Sequence, residues 1–89
     1  MKCVRAVILG KVQGVFFREF IQKKSRKLGI NGYAKNVDLD KVEAVLQGEE
    51  AAINKIIELC KSGPPLAMVK QVNITDFPII TRYDDFKIL

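Results

Sequence analysis

An α+β fold, a single β-sheet covered on one face by two amphipathic helices, is what three features of the sequence predict. Apolar residues alternate with a period of two in several short segments. They recur at helical spacing in two longer ones, and Gly, Pro and Asp separate one segment from the next. With 89 residues, the chain is expected to form one domain over 1–89, long enough to bury a core without disulfides or a structural metal.

The first strand is read from Cys3 to Val12, with Val4, Ala6 and Ile8 on one face and Arg5, Val7 and Leu9 on the other. A helix follows from about Phe17 to Leu28, with Phe17, Phe20, Ile21 and Leu28 at helical spacing and Gly29 as its stop. Asn31 to Val37 and Lys41 to Gln47 read as a hairpin around a turn at Asp38 to Asp40, with Val42, Ala44 and Leu46 facing one way. A second helix opens at Glu49 or Glu50 and carries Ile53, Ile56, Ile57 and Cys60 on its apolar stripe. Ser62-Gly63-Pro64-Pro65 ends it, because proline can neither donate to nor continue a helix. Ala67 to Thr75 supplies another strand, and Asp85 to Leu89 a short tail strand anchored by Phe86 and Ile88. The order βαββαβ plus a tail is that of the ferredoxin-like α/β sandwich, an antiparallel sheet with both helices on one face.

Composition narrows the function. Hydrophobic residues make up 48% and charged residues 28%, which places the chain among folded globular proteins. A net charge of +5 favours anionic partners through long-range attraction. The cluster Lys23, Lys24, Arg26 and Lys27 reads more simply as the solvated face of the first helix than as a nucleic-acid patch. The apolar run Ala6 to Leu9 is too short for a signal peptide or a membrane span, so a cytoplasmic protein with no membrane partner is expected. Cys3 and Cys60, far apart and outside any CxxC pair, are expected to be buried free thiols. The chain has no histidine, which excludes a phosphohistidine intermediate, a Ser-His-Asp triad and a histidine-ligated metal. No metal and no cofactor are expected.

The chemistry concentrates between the first strand and the first helix. A loop leaving a strand through Gly10 and Gly14 and entering a helix near Phe17 gathers backbone N–H groups at the positive end of that helix, which binds anions. Glycine lets the backbone approach a ligand closely, and Arg18 in the first turn adds a planar cationic fork suited to phosphate oxygens. Taken alone, the same residues also read as a tight turn followed by an exposed helical arginine, and Asn36 as a strand-end residue satisfying the turn backbone.

The string Gly10 to Arg18, GKVQGVFFR, together with Ile8 before it, matches the N-terminal signature of the acylphosphatase family position by position. Gly32-Tyr33-Ala34-Lys35-Asn36, with Val42, Glu43 and Gly48 at matching spacing, matches its second signature. Leu28-Gly29-Ile30, Gly63-Pro64-Pro65, Phe86 and Ile88 extend the likeness over essentially the whole chain, which therefore resembles an acylphosphatase. The resemblance implies a hydrolase that cleaves the carboxyl-phosphate bond of small acyl phosphates to a carboxylate and inorganic phosphate. It implies that the main chain of Gln13, Gly14, Val15, Phe16, Phe17 and Arg18 cradles the phosphate, that Arg18 binds it, and that Asn36 orients the attacking water. One position departs: Asp40 stands where the family usually has a hairpin glycine, and a differently shaped turn is expected there.

A site of this kind, working by positioning and charge stabilisation without a general acid, suits a leaving group that departs unaided. A carboxylate, with a pKa of about 4, is one, whereas a phosphate monoester must expel an alkoxide. The competing reading is an anion- or RNA-binding module of the same fold order, but the aromatic signature of RNA-recognition domains is missing from Lys41 to Gln47. A second alternative is an acylphosphatase-like domain that has lost activity or serves a larger maturation protein. The expected partners are a small acyl phosphate and inorganic phosphate, without nucleic acid, acting on a monomer.

Overall fold

The computed structural model describes residues 1–89. Strand β1 (Lys2–Lys11) leads to helix α1 (Phe17–Leu28), the hairpin β2 (Asn31–Val37) and β3 (Lys41–Gly48), helix α2 (Glu50–Ser62), strand β4 (Met68–Asp76) and the short β5 (Phe86–Ile88). The sheet order is β4-β1-β3-β2-β5. Strand β1 lies inside it, pairing antiparallel with β3 from Lys2↔Gly48 to Leu9↔Lys41 and with β4 on its other side.

Alternation sorts the residues as the sequence predicts. Val4, Ala6, Ile8, Ala34, Val42, Ala44 and Leu46 form the covered face and share one core with Phe17 and Ile21 of α1, Ile53, Ile56 and Cys60 of α2, and Phe86 of β5. Phe20, Leu28 and Ile57, expected on the helical stripes, are only partly buried and pack against the core from outside. Both thiols are free and buried, and desolvation pushes that of Cys60 up to about 12, so it stays protonated.

The tail strand corrects the expectation of an all-antiparallel sheet: β5 runs parallel to β2, with Gly32↔Phe86 and Ala34↔Ile88. The cause is the path between β4 and β5. Strand β4 ends where Asp76 opposes Val4, and the amide of Phe77 donates to the carbonyl of Cys3 at 3.0 Å. From there the chain crosses the same end of the sheet to the far edge, so the strand that follows must run in the direction of β2. On the way it covers the uncovered face. Gln47, 3% exposed, donates to the carbonyl of Thr81 at 2.9 Å and accepts from the amide of Tyr83 at 3.0 Å. Farther along the same face of β3, Glu43 accepts from the guanidinium of Arg5 at 2.7 Å, which neutralises the one buried carboxylate.

Gly10 has a different role from the one its sequence position suggests. At φ 135° it sits where the β1–β4 register shifts, and a Cβ there would lie 2.2 Å from the carbonyl oxygen of Met68. The glycine admits the backbone of β4 rather than a ligand. Its own amide donates to the carbonyl of Asp40 at 3.0 Å, tying the start of the loop to the β2–β3 turn. Gly10→Ala should lower unfolding stability by about 2–4 kcal/mol through strain and overpacking. A urea titration checks this, and a loss below about 1 kcal/mol would contradict the backbone-approach argument.

Candidate active site

The loop between β1 and α1 is shaped by two left-handed residues. Gly14 has φ 73° and open space around its missing side chain, and Phe16, at φ 65° and ψ 30°, is the N-cap of α1. A phenylalanine in that conformation costs about 1–2 kcal/mol. The side chains on either side of it offset this cost, since Val15 and Phe17 are 4% and 1% exposed and anchor the loop to the core, while Phe16 itself is 69% exposed. No side chain caps the helix, and none of the amides from Gln13 to Glu19 donates to a protein acceptor. They leave the positive end of α1 with unpaired donors, which is how an anion-binding helix terminus is built.

Val12, Gly14, Phe16, Phe17, Arg18, Glu19 and Asn36 line a cleft of about 340 Å³ over this loop. Sequence parity explains why Asn36 reaches it. Asn36 follows Gly32 and Ala34 at a period of two, so it lies on the helix-covered face of β2 and at the strand end beside the loop. Its carboxamide is exposed. The turn carbonyls it would satisfy in a purely structural role are instead bound by the side chain of Gln13, whose NH₂ shares its two hydrogens among the carbonyls of Val37, Asp38 and Lys41 at 3.2, 2.9 and 2.9 Å.

Arg18 is half-buried, and its Nη1 donates to the main-chain oxygen of Leu89 at 3.1 Å. That contact holds the guanidinium at the cleft and leaves its other donors for an anion. Leu89 is placed by its own amide, which donates to Ala34 at 2.9 Å, so β5 reaches the site through β2. Strand β5 is in turn fastened to α1 by Arg26, which grips both carboxylate oxygens of Asp85 at 3.2 and 3.1 Å, and by Gln22, which donates to the carbonyl of Phe86 at 2.9 Å.

The structure thus gathers Gly14, Phe16, Phe17, Arg18 and Asn36 around one cleft, whereas Val15 and Gln13 face elsewhere with their side chains. Asp40 needs no left-handed backbone: the positive φ of the turn, 54°, falls on Asp38, so the missing hairpin glycine leaves no strain at Asp40. Three contributions were missed from sequence. Glu19 borders the cleft but reads as an ordinary acidic residue of a first helical turn. The Gln13 clamp and the Leu89 contact join residues far apart in the chain and have no local signature.

The sequence profile of the Acylphosphatase family matches residues 4–88. The chain belongs to the acylphosphatase family. An acylphosphatase of Dehalococcoides mccartyi (strain CBDB1) is 43% identical to it over 89 residues, spanning 99% of this chain and 98% of the relative. The crystal structure of acylphosphatase from Bacillus subtilis superposes with a TM-score of 0.95 at 32% identity, covering 100% of this chain and 99% of that one. An acylphosphatase structure from Coxiella burnetii gives 0.93 at 39% identity, covering 99% and 92%.

The fastening of β5 includes a titratable carboxyl. The carboxyl of Asp85 lies below its ordinary value of 3.8, first because it accepts from the amide of Phe86 and then because it accepts from Arg26. A carboxyl depressed on folding contributes stability that is complete above the unfolded value and lost as the pH falls through the folded one. Asp85→Asn should therefore be less stable than wild type at neutral pH, and the two should converge as the pH falls below 3.8 and through the folded value. Urea midpoints at neutral and acid pH test this, and a gap that persists unchanged in acid would exclude the carboxylate as its source.

Proposed function

We propose that this acylphosphatase binds the phosphoryl group of its substrate through the main-chain amides from Gln13 to Arg18 and the guanidinium of Arg18, while Asn36 aligns water for in-line attack on phosphorus. The chain hydrolyses acyl phosphates to a carboxylate and inorganic phosphate. The observation that carries the residue assignment is the shared cleft: unpaired amides, a guanidinium and an unengaged carboxamide border a single volume. In the same reading residues 1–89 act as one monomeric, cytoplasmic domain that needs no metal, cofactor or nucleic acid.

The division of labour follows from charge. In the transition state negative charge spreads over the phosphoryl oxygens, and fixed N–H donors with a permanent cation stabilise it without reorganising. The carboxylate leaves without a proton, so the absence of a histidine and the exposed position of Glu19 impose no penalty on the bond being broken. The amide oxygen of Asn36 can accept from water and its NH₂ can donate, which orients a nucleophile but does not deprotonate it. An acyl phosphate, whose bond is already labile, needs no more.

Arg18→Ala should lower kcat/KM by about 10²–10³ and weaken competitive inhibition by inorganic phosphate, as loss of a charge-stabilising donor does. Asn36→Ala should lower kcat by at least about tenfold while leaving phosphate inhibition within about threefold of wild type. Phosphate release from benzoyl phosphate in the presence of a chelator measures both. An Arg18→Ala variant with full activity would refute the assignment of the cradle.

A further inference from the structure

Gln13 touches both halves of the site. Its backbone belongs to the loop of unpaired amides, and its side chain leaves that loop to end among the carbonyl oxygens of Val37, Asp38 and Lys41 at 3.2, 2.9 and 2.9 Å. Acceptors converge on it from both strands of the hairpin and from the turn between them. Only the NH₂ end of a carboxamide can face such a set, since its oxygen would meet three others, so the chemistry of the surroundings fixes its orientation. The first of these acceptors belongs to the residue next to Asn36. The other direct tie between loop and hairpin is the 3.0 Å bond from the amide of Gly10 to Asp40, at the base of the loop and farther along the chain from the cradle.

We infer that Gln13 is a positioning residue for the hydrolysis: its side chain clamps the β2–β3 hairpin to the phosphate cradle and thereby sets where Asn36 holds water relative to phosphorus. This rests on the reading of Asn36 given under Proposed function. The clamp matters because in-line attack tolerates little error, and a displacement of about 1 Å can cost about a hundredfold in rate. The cradle is anchored to the core by Val15 and Phe17, whereas Asn36 sits at the exposed end of a strand beside a turn whose residues Asp38, Leu39 and Asp40 are all exposed. Without Gln13 the turn has nothing comparable to hold it at the height of the cradle.

The role predicts a kinetic signature that a merely stabilising contact does not give. Gln13→Met removes the donor at similar length, and Gln13→Asn keeps the donor but draws it back by one methylene, with the least disturbance to folding. Both should lower kcat by at least about tenfold while inhibition by inorganic phosphate stays within about threefold of wild type. Gln13→Lys, which presents three N–H donors and no acceptor to the carbonyls, should recover most of the kcat lost in Gln13→Met. In the Asn36→Ala background, Gln13→Asn should cost less than about threefold, because the residue through which it acts is gone.

Circular dichroism and urea midpoints on each variant separate lost positioning from lost structure. The inference is overturned by equal costs of Gln13→Asn with and without Asn36, or by a loss confined to phosphate affinity. A slow Asn36→Ala with a fast Gln13→Asn overturns the clamp and spares the assignment of Asn36. An Asn36→Ala variant turning over at the wild-type rate overturns both.

Discussion

A run of backbone N–H groups at the start of α1 is kept free of protein acceptors, and the rest of the molecule is arranged around that constraint. Unpaired amides are costly wherever water cannot reach them, so the loop that carries them must lie open, yet it must not collapse onto itself. The left-handed conformations at Gly14 and Phe16 turn the chain outward, and the burial of Val15 and Phe17 prevents it from relaxing. Strain in the loop is thus held by the core, which is the usual source of rigidity at a functional site.

Charge is distributed to the same end. The most buried carboxylate, Glu43, lies on the opposite face of the sheet and is neutralised by Arg5, with Lys35 at 3.8 Å, so it does not compete with an anion at the cleft. Burial and the nearby Glu43 raise the hydroxyl of Tyr33, on that same face, above its ordinary range, and it remains a neutral donor. Arg18, by contrast, pairs with no acidic side chain; its contact is the main-chain oxygen of Leu89, which steadies the guanidinium. Long-range attraction from the net charge of +5 then favours the approach of a phosphate-bearing ligand.

Much of the fold was legible because its signals are local. Alternation in β1 and β3 separated Val4, Ala6, Ile8, Val42, Ala44 and Leu46 from their neighbours, and Pro64-Pro65 marked the end of α2 without reference to anything distant. The parallel seating of β5 was not legible, because three residues carry no signal of direction; the path of the chain across the end of the sheet sets it. Gly10 was read as a ligand-facing glycine, and only the pairing with β4 reveals the carbonyl of Met68 that requires it. Likewise the turn glycine thought to be missing at Asp40 proved unnecessary, since the loop places its positive φ at Asp38.

The sequence by itself determined the order of elements, the two faces of the sheet and, through its two signatures, the family. Those properties depend on residue type and on spacing along the chain, which a sequence states directly. Tertiary structure alone decided that Asn36 shares a cleft with Arg18, that Leu89 holds the guanidinium, and that the side chain of Gln13 grips the hairpin. Each joins groups that are remote in the chain, and their distances follow from strand pairing and helix packing rather than from any local preference.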